Sequence, residues 1–190
     1  MRCLVCESWS FSHMCQSCQT TYLVPNPHIR VLECGLKVLS FFAYDEIDFL
    51  LKTKHQDLGF YIYKILAKKT MPAFAKAFNY DKQLTIIPID DKVKESYAHT
   101  AILANALKSS KLNVSFGALH ARHDISYSGQ SLAFRLANPR EFIVKKIPKH
   151  DVLLVDDVVT TGSTLCEAKK VLDYGKNDTL MAVVLADASR

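Results

Sequence analysis

No stretch of this 190-residue chain approaches the roughly twenty consecutive apolar residues that a membrane-spanning helix needs. Its longest apolar stretches, residues 38–43, 152–155 and 181–186, are strand-length pieces. The chain opens Met1-Arg2-Cys3 without the apolar run of a signal peptide, so a cytoplasmic protein is expected. Excess charge is equally scarce. A formal net charge of +5 is modest for this length and by itself no sign of a nucleic-acid partner. There is no internal repeat and no low-complexity tract. A hydrophobic share of 49% against 23% charged residues excludes disorder as a description of the whole and supports one core with a small appendage.

The six cysteines are present in a very uneven pattern. Cys3, Cys6, Cys15 and Cys18 form two CxxC pairs eight residues apart, while Cys34 and Cys166 stand alone. Each CxxC turns two sulfurs toward one point, and a loop brings the second pair opposite the first, which suits tetrahedral Zn²⁺. Four thiolates leave no open position, so such a zinc is structural. A segment this short cannot build its own core, and metal binding would supply its folding free energy. Two disulfides are the other reading of these four, and His13 is a possible replacement ligand. Trp9 and Phe11 are expected to pack on the following domain. Cys34 and Cys166 read as small buried apolar residues. Pro25-Asn26-Pro27 is the natural boundary, giving a knuckle over residues 1–24 and a main domain over 28–190.

Past that boundary, strands and helices alternate. Strands are expected over 38–44, 84–87 (stopped by Pro88), 114–119, 143–147, 152–155 and 180–186. Leu58, Ile62, Ile65 and Leu66 give an amphipathic helix over 57–69. Ile102, Leu103, Ala106 and Leu107 give another, beginning near Ser96. Leu165, Ala168 and Leu172 give a third, ended by Gly175. This alternation predicts an α/β fold, a mostly parallel sheet covered by helices on both faces.

The most informative segment is residues 152–164, where Val-Leu-Leu-Val runs into Asp156 and Asp157, then Val158, Val159, Thr160, Thr161, Gly162, Ser163 and Thr164. It reads as a buried strand, two carboxylates, a hydroxyl-rich loop and a helix start. Ligands bind at the carboxyl ends of strands in open α/β sheets. Free N–H groups and the helix dipole favour an anion there, and Gly162 lets backbone approach a phosphate. Two carboxylates beside it can accept from sugar hydroxyls or hold Mg²⁺. A 5-phosphorylated ribose fits both halves.

These thirteen residues resemble the phosphoribosyl pyrophosphate (PRPP) signature of the type I phosphoribosyltransferases. Together with the four-cysteine knuckle and the strand ending Ile86-Ile87-Pro88-Ile89, they make the chain similar to the ComF family, phosphoribosyltransferase-like proteins of bacterial competence. The resemblance implies that Asp156 and Asp157 contact ribose hydroxyls in a catalytic position, that Thr160 to Thr164 hold the 5-phosphate, and that Pro88, Ile89 and Asp90 face pyrophosphate. Lys52-Thr53-Lys54 followed by Asp57 resembles the family's early basic stretch, and Gln130, Arg135 and Asn138 match its Gln–Arg–Asn spacing. Where many members carry Arg-Gly-Phe-Asn-Gln, this chain has Glu95-Ser96-Tyr97-Ala98-His99.

Between Lys108 and His150 there are eight Lys or Arg against two acids, so the whole positive surplus lies in that segment. Arg122, Arg135, Arg140, Lys145, Lys146 and Lys149, interleaved with Tyr127, Phe134 and Phe142, are what single-stranded DNA requires. In the transferases a mobile loop in this part of the chain closes over PRPP, so Arg122 has a second possible use on pyrophosphate. The expected function is a competence protein that binds PRPP and single-stranded DNA, beside an import helicase or recombination loader and peripherally at the inner membrane. The alternatives are a phosphoribosyltransferase with an unidentified acceptor and a non-catalytic PRPP sensor.

Overall fold

The structure, a computed structural model, describes residues 1–89, 97–123, 134, 140–146, 148–174 and 178–190. Its frame is a six-stranded sheet in the order β1-β2-β8-β7-β3-β4, with β1 (His28–Val31), β2 (Lys37–Ala43), β3 (Leu84–Pro88), β4 (Leu112–Val114), β7 (Val152–Val159) and β8 (Thr179–Asp187). Only β1 runs antiparallel, against β2; every other neighbour is parallel. β7 and β8 are the paired middle strands, and their β-branched, apolar runs are buried on both sides, as a sheet covered by helices requires.

Side chains of adjacent residues on these strands leave by opposite faces. Leu153, Val155, Val183 and Leu185 meet α2 (Tyr44–Leu51), α3 (Asp57–Ala77) and α4 (His99–Leu107), burying Ile47, Leu50, Ile62, Leu66 and Leu103. Val152, Leu154, Ala182 and Val184 meet α5 (Ser163–Leu172) through Leu165, Ala168 and Leu172. The expected α/β fold, mostly parallel with helices on both faces, is what the chain adopts.

Several boundaries differ from the sequence expectations. The strand expected over 114–119 is broken at Gly117, whose φ of +62° turns the chain between β4 and β5 (Leu119–Ala121). β6 (Phe142–Val144), near the strand expected over 143–147, does not join the main sheet. It pairs antiparallel with β5 as a ribbon whose Leu119, Ala121 and Phe142 pack on the α5 side. β7 runs on through the acid pair to Val159, and Pro88 closes β3 in register with Val155. α3 continues through Pro72 to Ala77. Ser96, Gly175 and the Asp90, Gln130, Arg135 and Asn138 positions lie outside the described residues.

Two further corrections concern the knuckle and the isolated cysteines. Trp9 and Phe11 do not pack on the main domain; both are exposed. Met14 and Leu23 are the apolar contacts instead, fully buried in the α2–α4 cluster, and the His13 ring meets Tyr61 of α3 edge-on at 4.4 Å. α1 (Gln16–Tyr22), which the sequence did not announce, starts at Cys15, whose sulfur accepts from the Cys18 N–H. Cys34 and Cys166 are not separate buried apolar residues. They form a disulfide, Cα–Cα 5.7 Å, joining the β1–β2 turn to α5 across 132 residues of sequence. The two cysteines come together only because the sheet puts the hairpin beside the start of α5, which no local pattern announces.

A cross-link closing so long a loop constrains the unfolded chain strongly. The Cys34→Ser/Cys166→Ser double variant should lose about 2–4 kcal/mol in denaturant unfolding. A variant as stable as the parent would show that the bridge contributes nothing.

Candidate functional site

The acid pair sits at the carboxyl end of β7, and its two members have different surroundings. Asp157 is buried. Its Oδ2 accepts from Lys54 Nζ at 3.0 Å and Tyr63 OH at 3.1 Å, and lies 3.5 Å from His99 Nε2. Its Oδ1 accepts the Val158 N–H at 2.8 Å. Asp156 is half-buried, on the neighbouring position of the strand, and accepts the Asp157 N–H at 2.8 Å.

The electrostatics follow from that split. Burial works against the Asp157 charge, but the Lys54 ammonium, the neighbouring His99 and the hydrogen bonds from Lys54 and Tyr63 outweigh it and hold the carboxyl well below the usual range. Lys54 is raised in turn by Asp157. Burial, then the Asp157 charge, pushes Tyr63 far up, so its hydroxyl remains a donor. Burial and the same neighbouring charge push Asp156 the other way, well above the usual carboxylate range. Both Asp157 oxygens have protein partners, whereas Asp156 has one hydrogen bond, from the Asp157 N–H, so Asp156 is the less engaged of the two carboxylates.

Lys54 is placed by a 3₁₀ turn, Lys52–His55, between α2 and α3. Tyr97 OH donates to the Lys54 carbonyl at 2.8 Å, and a Cβ on Gly59 would lie 2.1 Å from that hydroxyl. Only glycine permits this contact. Tyr97 and His99 both act on the Lys54–Asp157 pair.

After β7 the chain turns through Thr160, Thr161 and Gly162 into α5. Gly162 has φ +82°, and a Cβ there would lie 2.5 Å from the Leu32 side chain. The conformation is reason enough for glycine, independent of a phosphate, and a Cβ would also force the Leu32 side chain to move. The first helical bond runs from Cys166 N–H to the Gly162 carbonyl, leaving the Ser163, Thr164 and Leu165 amides without helical acceptors. The Thr161 hydroxyl reaches Ser163 Oγ at 3.2 Å and its N–H at 3.4 Å. Thr160 and Thr164 are half-exposed, Val158 is half-buried and Val159 buried. Pro88 ends β3 in register with Val155, and the Ile89 N–H that follows is bonded to the Val155 carbonyl, one position before the acid pair.

Among the described residues no group of three carboxylate or imidazole ligands gathers near the acids.

No protein-family model and no curated protein matches this chain. Among solved structures it is similar to a hypoxanthine phosphoribosyltransferase from Staphylococcus aureus, with 22% identity over 66% of this chain and 62% of that one, at a TM-score of 0.40. It is also similar to the orotate phosphoribosyltransferase from Aeropyrum pernix, with 18% identity over 89% and 78% and a TM-score of 0.39. The chain thus matches less than two thirds of the length of the first enzyme. At these overlaps the likeness assigns neither substrate nor reaction.

The basic segment is spread over the β5–β6 side. Arg122 is exposed and paired with Glu141 at 3.2 Å. Arg140 is half-buried, and its N–H, like that of Phe142, is accepted by Glu167 of α5. Lys145, Lys146 and Lys149 are exposed, with Lys146 Nζ donating to the Phe116 carbonyl at 2.6 Å. Phe142 is core, Phe134 is exposed, and Arg135 and Tyr127 lie outside the described residues.

The knuckle brings Cys3, Cys6, Cys15 and Cys18 together, their sulfurs all within 4.8 Å of one another. This cluster can hold a metal ion, and His13 is engaged with Tyr61 instead. The Cys3 thiol is pushed up by burial but brought down to about 6 by N–H donors from Cys6, Cys15 and Val5. Cys18 is driven up by burial and by its neighbouring sulfurs. A cation between the four sulfurs would offset their mutual repulsion as thiolates.

Lys54, Tyr63 and His99 were not legible as site residues, because they lie 58 to 103 positions from Asp157 and share no local motif with it. Asp157→Asn should cost up to about 3 kcal/mol at neutral pH by leaving the half-buried Lys54 without its nearest counter-charge. A carboxyl depressed by folding stabilises above its unfolded pKa of about 4 and loses that contribution as pH falls below it. The gap between wild type and variant should therefore narrow in acid; a gap that stays constant contradicts the ion pair. Cys3→Ser should release about one metal ion per chain by elemental analysis and lower the melting temperature. A metal-free parent would contradict the metal assignment.

Proposed function

We propose that this protein binds a 5-phosphorylated ribose, with PRPP the best fit, at the carboxyl end of β7, and carries a structural zinc in its knuckle. The observation that supports this most is the succession of a half-buried carboxylate, a Thr-Thr-Gly-Ser-Thr turn and the open amides of α5 at one point of a parallel sheet. The phosphoryl group would take the Ser163 and Thr164 amides and the Thr161 and Ser163 hydroxyls. Asp156 would accept from a ribose hydroxyl. Asp157 would not touch the sugar; with Lys54 and His99 it would fix the strand end beneath it. Pro88, Ile89 and Asp90 would face the pyrophosphate, with Mg²⁺ carried by the diphosphate oxygens.

The chain's resemblance to the ComF family supports a cytoplasmic role in competence, with single-stranded DNA as the second ligand. The exposed Arg122, Lys145, Lys146 and Lys149 favour that partner. DNA binding through them would weaken steeply with salt.

Calorimetry with PRPP tests the ligand. Wild type should bind, and Asp156→Asn and Thr161→Ala/Ser163→Ala should each weaken binding at least tenfold with melting temperatures near the parent's. Replacing Asp157 is not a clean test, since it removes the partner of Lys54. Undiminished affinity in both variants would reject the site. Pyrophosphate release in the presence of mixed bases would identify a transferase; its absence alongside tight binding would identify a sensor.

A further inference from the structure

The β1–β2 hairpin reaches the phosphate loop with three alternate residues. Arg30 lies on β1, donates from its guanidinium to the Thr160 carbonyl, and pairs through Nε with Asp187 Oδ2 at 2.8 Å. Leu32 fills the space where Gly162 has no side chain. Cys34 is bonded to Cys166, one turn into α5. All three contacts fall within residues 160–166.

Asp187 makes Arg30 more than a chance surface contact. It is buried at the end of β8, paired in register with Val159 on one side and Ala43 on the other. Its other oxygen accepts the Ser189 N–H and hydroxyl at 2.9 and 2.8 Å. The next residue, Ala188, donates its N–H to the Val159 carbonyl. The ion pair, close in distance but not aligned as a hydrogen bond, holds the guanidinium beside a fixed anion while its terminal N–H donates to the carbonyl immediately before the Thr161-Gly162 turn. Lysine has no second donor set in that geometry.

We propose that Arg30 is the positioning residue of the phosphate loop: by holding the Thr160 carbonyl against the Asp187 anchor, it keeps the Ser163 and Thr164 amides directed outward for a phosphoryl oxygen. The assignment of a phosphoryl ligand rests on the function proposed above; the ordering of the loop by Arg30 does not. Binding groups must be held closely to be effective, and a turn left to itself would sample other carbonyl orientations. Leu32 and the disulfide keep the hairpin in place when Arg30 is changed, so its loss is felt at the loop.

The test combines amide hydrogen exchange without ligand and calorimetry with ribose 5-phosphate. In Arg30→Met/Asp187→Asn, which removes the buried charge with its partner, exchange across 160–165 should accelerate at least tenfold while the β2 and β8 amides remain protected. The dissociation constant for ribose 5-phosphate should rise at least tenfold. Loop exchange unchanged in the folded variant overturns the proposal. Should the double variant not fold, Arg30→Lys decides in its place. It retains a charge beside Asp187 without the fork, and a faster-exchanging loop supports the assignment while an unaltered one overturns it. If wild type binds no ribose 5-phosphate, the ligand reading fails, and the exchange data alone still decide the role of Arg30.

Discussion

Asp157 carries its charge into the protein at the end of the central strand, where Lys54, Tyr63 and His99 converge on one carboxylate oxygen. Three separate pieces of chain, the turn before α3, the body of α3 and the start of α4, are tied by this contact to β7. Leaving any of them unpaired in a buried setting is costly, so the arrangement holds as a unit or not at all. What it fixes is the exit of β7, and therefore the position of Asp156 and of the turn that follows.

Two neighbouring acids with opposite environments divide the work. One is satisfied by the protein and is structural in effect. The other is pushed toward its neutral form by burial and by its neighbour, and has fewer protein partners. A pair that looks equivalent in the sequence is thus separated by the alternation of a strand, which sends adjacent side chains to different faces. The loop is similarly held from outside, by a hairpin whose contacts at Thr160, Gly162 and Cys166 bracket the amides of α5.

The frame of the fold was legible because the middle strands are long, apolar and β-branched, and because the helices carry a clear inner stripe. The cysteine knuckle and the strand–loop–helix segment were legible because their residues are adjacent in sequence. Whatever joined distant residues was not. Lys54 lies 103 positions from Asp157, Arg30 lies 130 from Thr160, and Cys34 lies 132 from Cys166, and no local spacing encodes such contacts. The split of 114–119 at Gly117 was missed for a different reason: a short apolar run reads as one strand unless the glycine's positive φ is known. Trp9 and Phe11, the large apolar residues of the knuckle loop, were read as the contacts with the next domain, whereas Met14 makes that contact.

The central claim is that the turn after β7 receives a phosphoryl group while Asp156, not Asp157, receives the sugar. A crystal structure with ribose 5-phosphate bound measures this directly. The account predicts phosphate oxygens within hydrogen-bonding distance of the Ser163 and Thr164 amides, a ribose hydroxyl on Asp156, and the Lys54–Asp157 pair unbroken. A phosphate bound elsewhere, or a sugar that displaces Lys54 from Asp157, would contradict it.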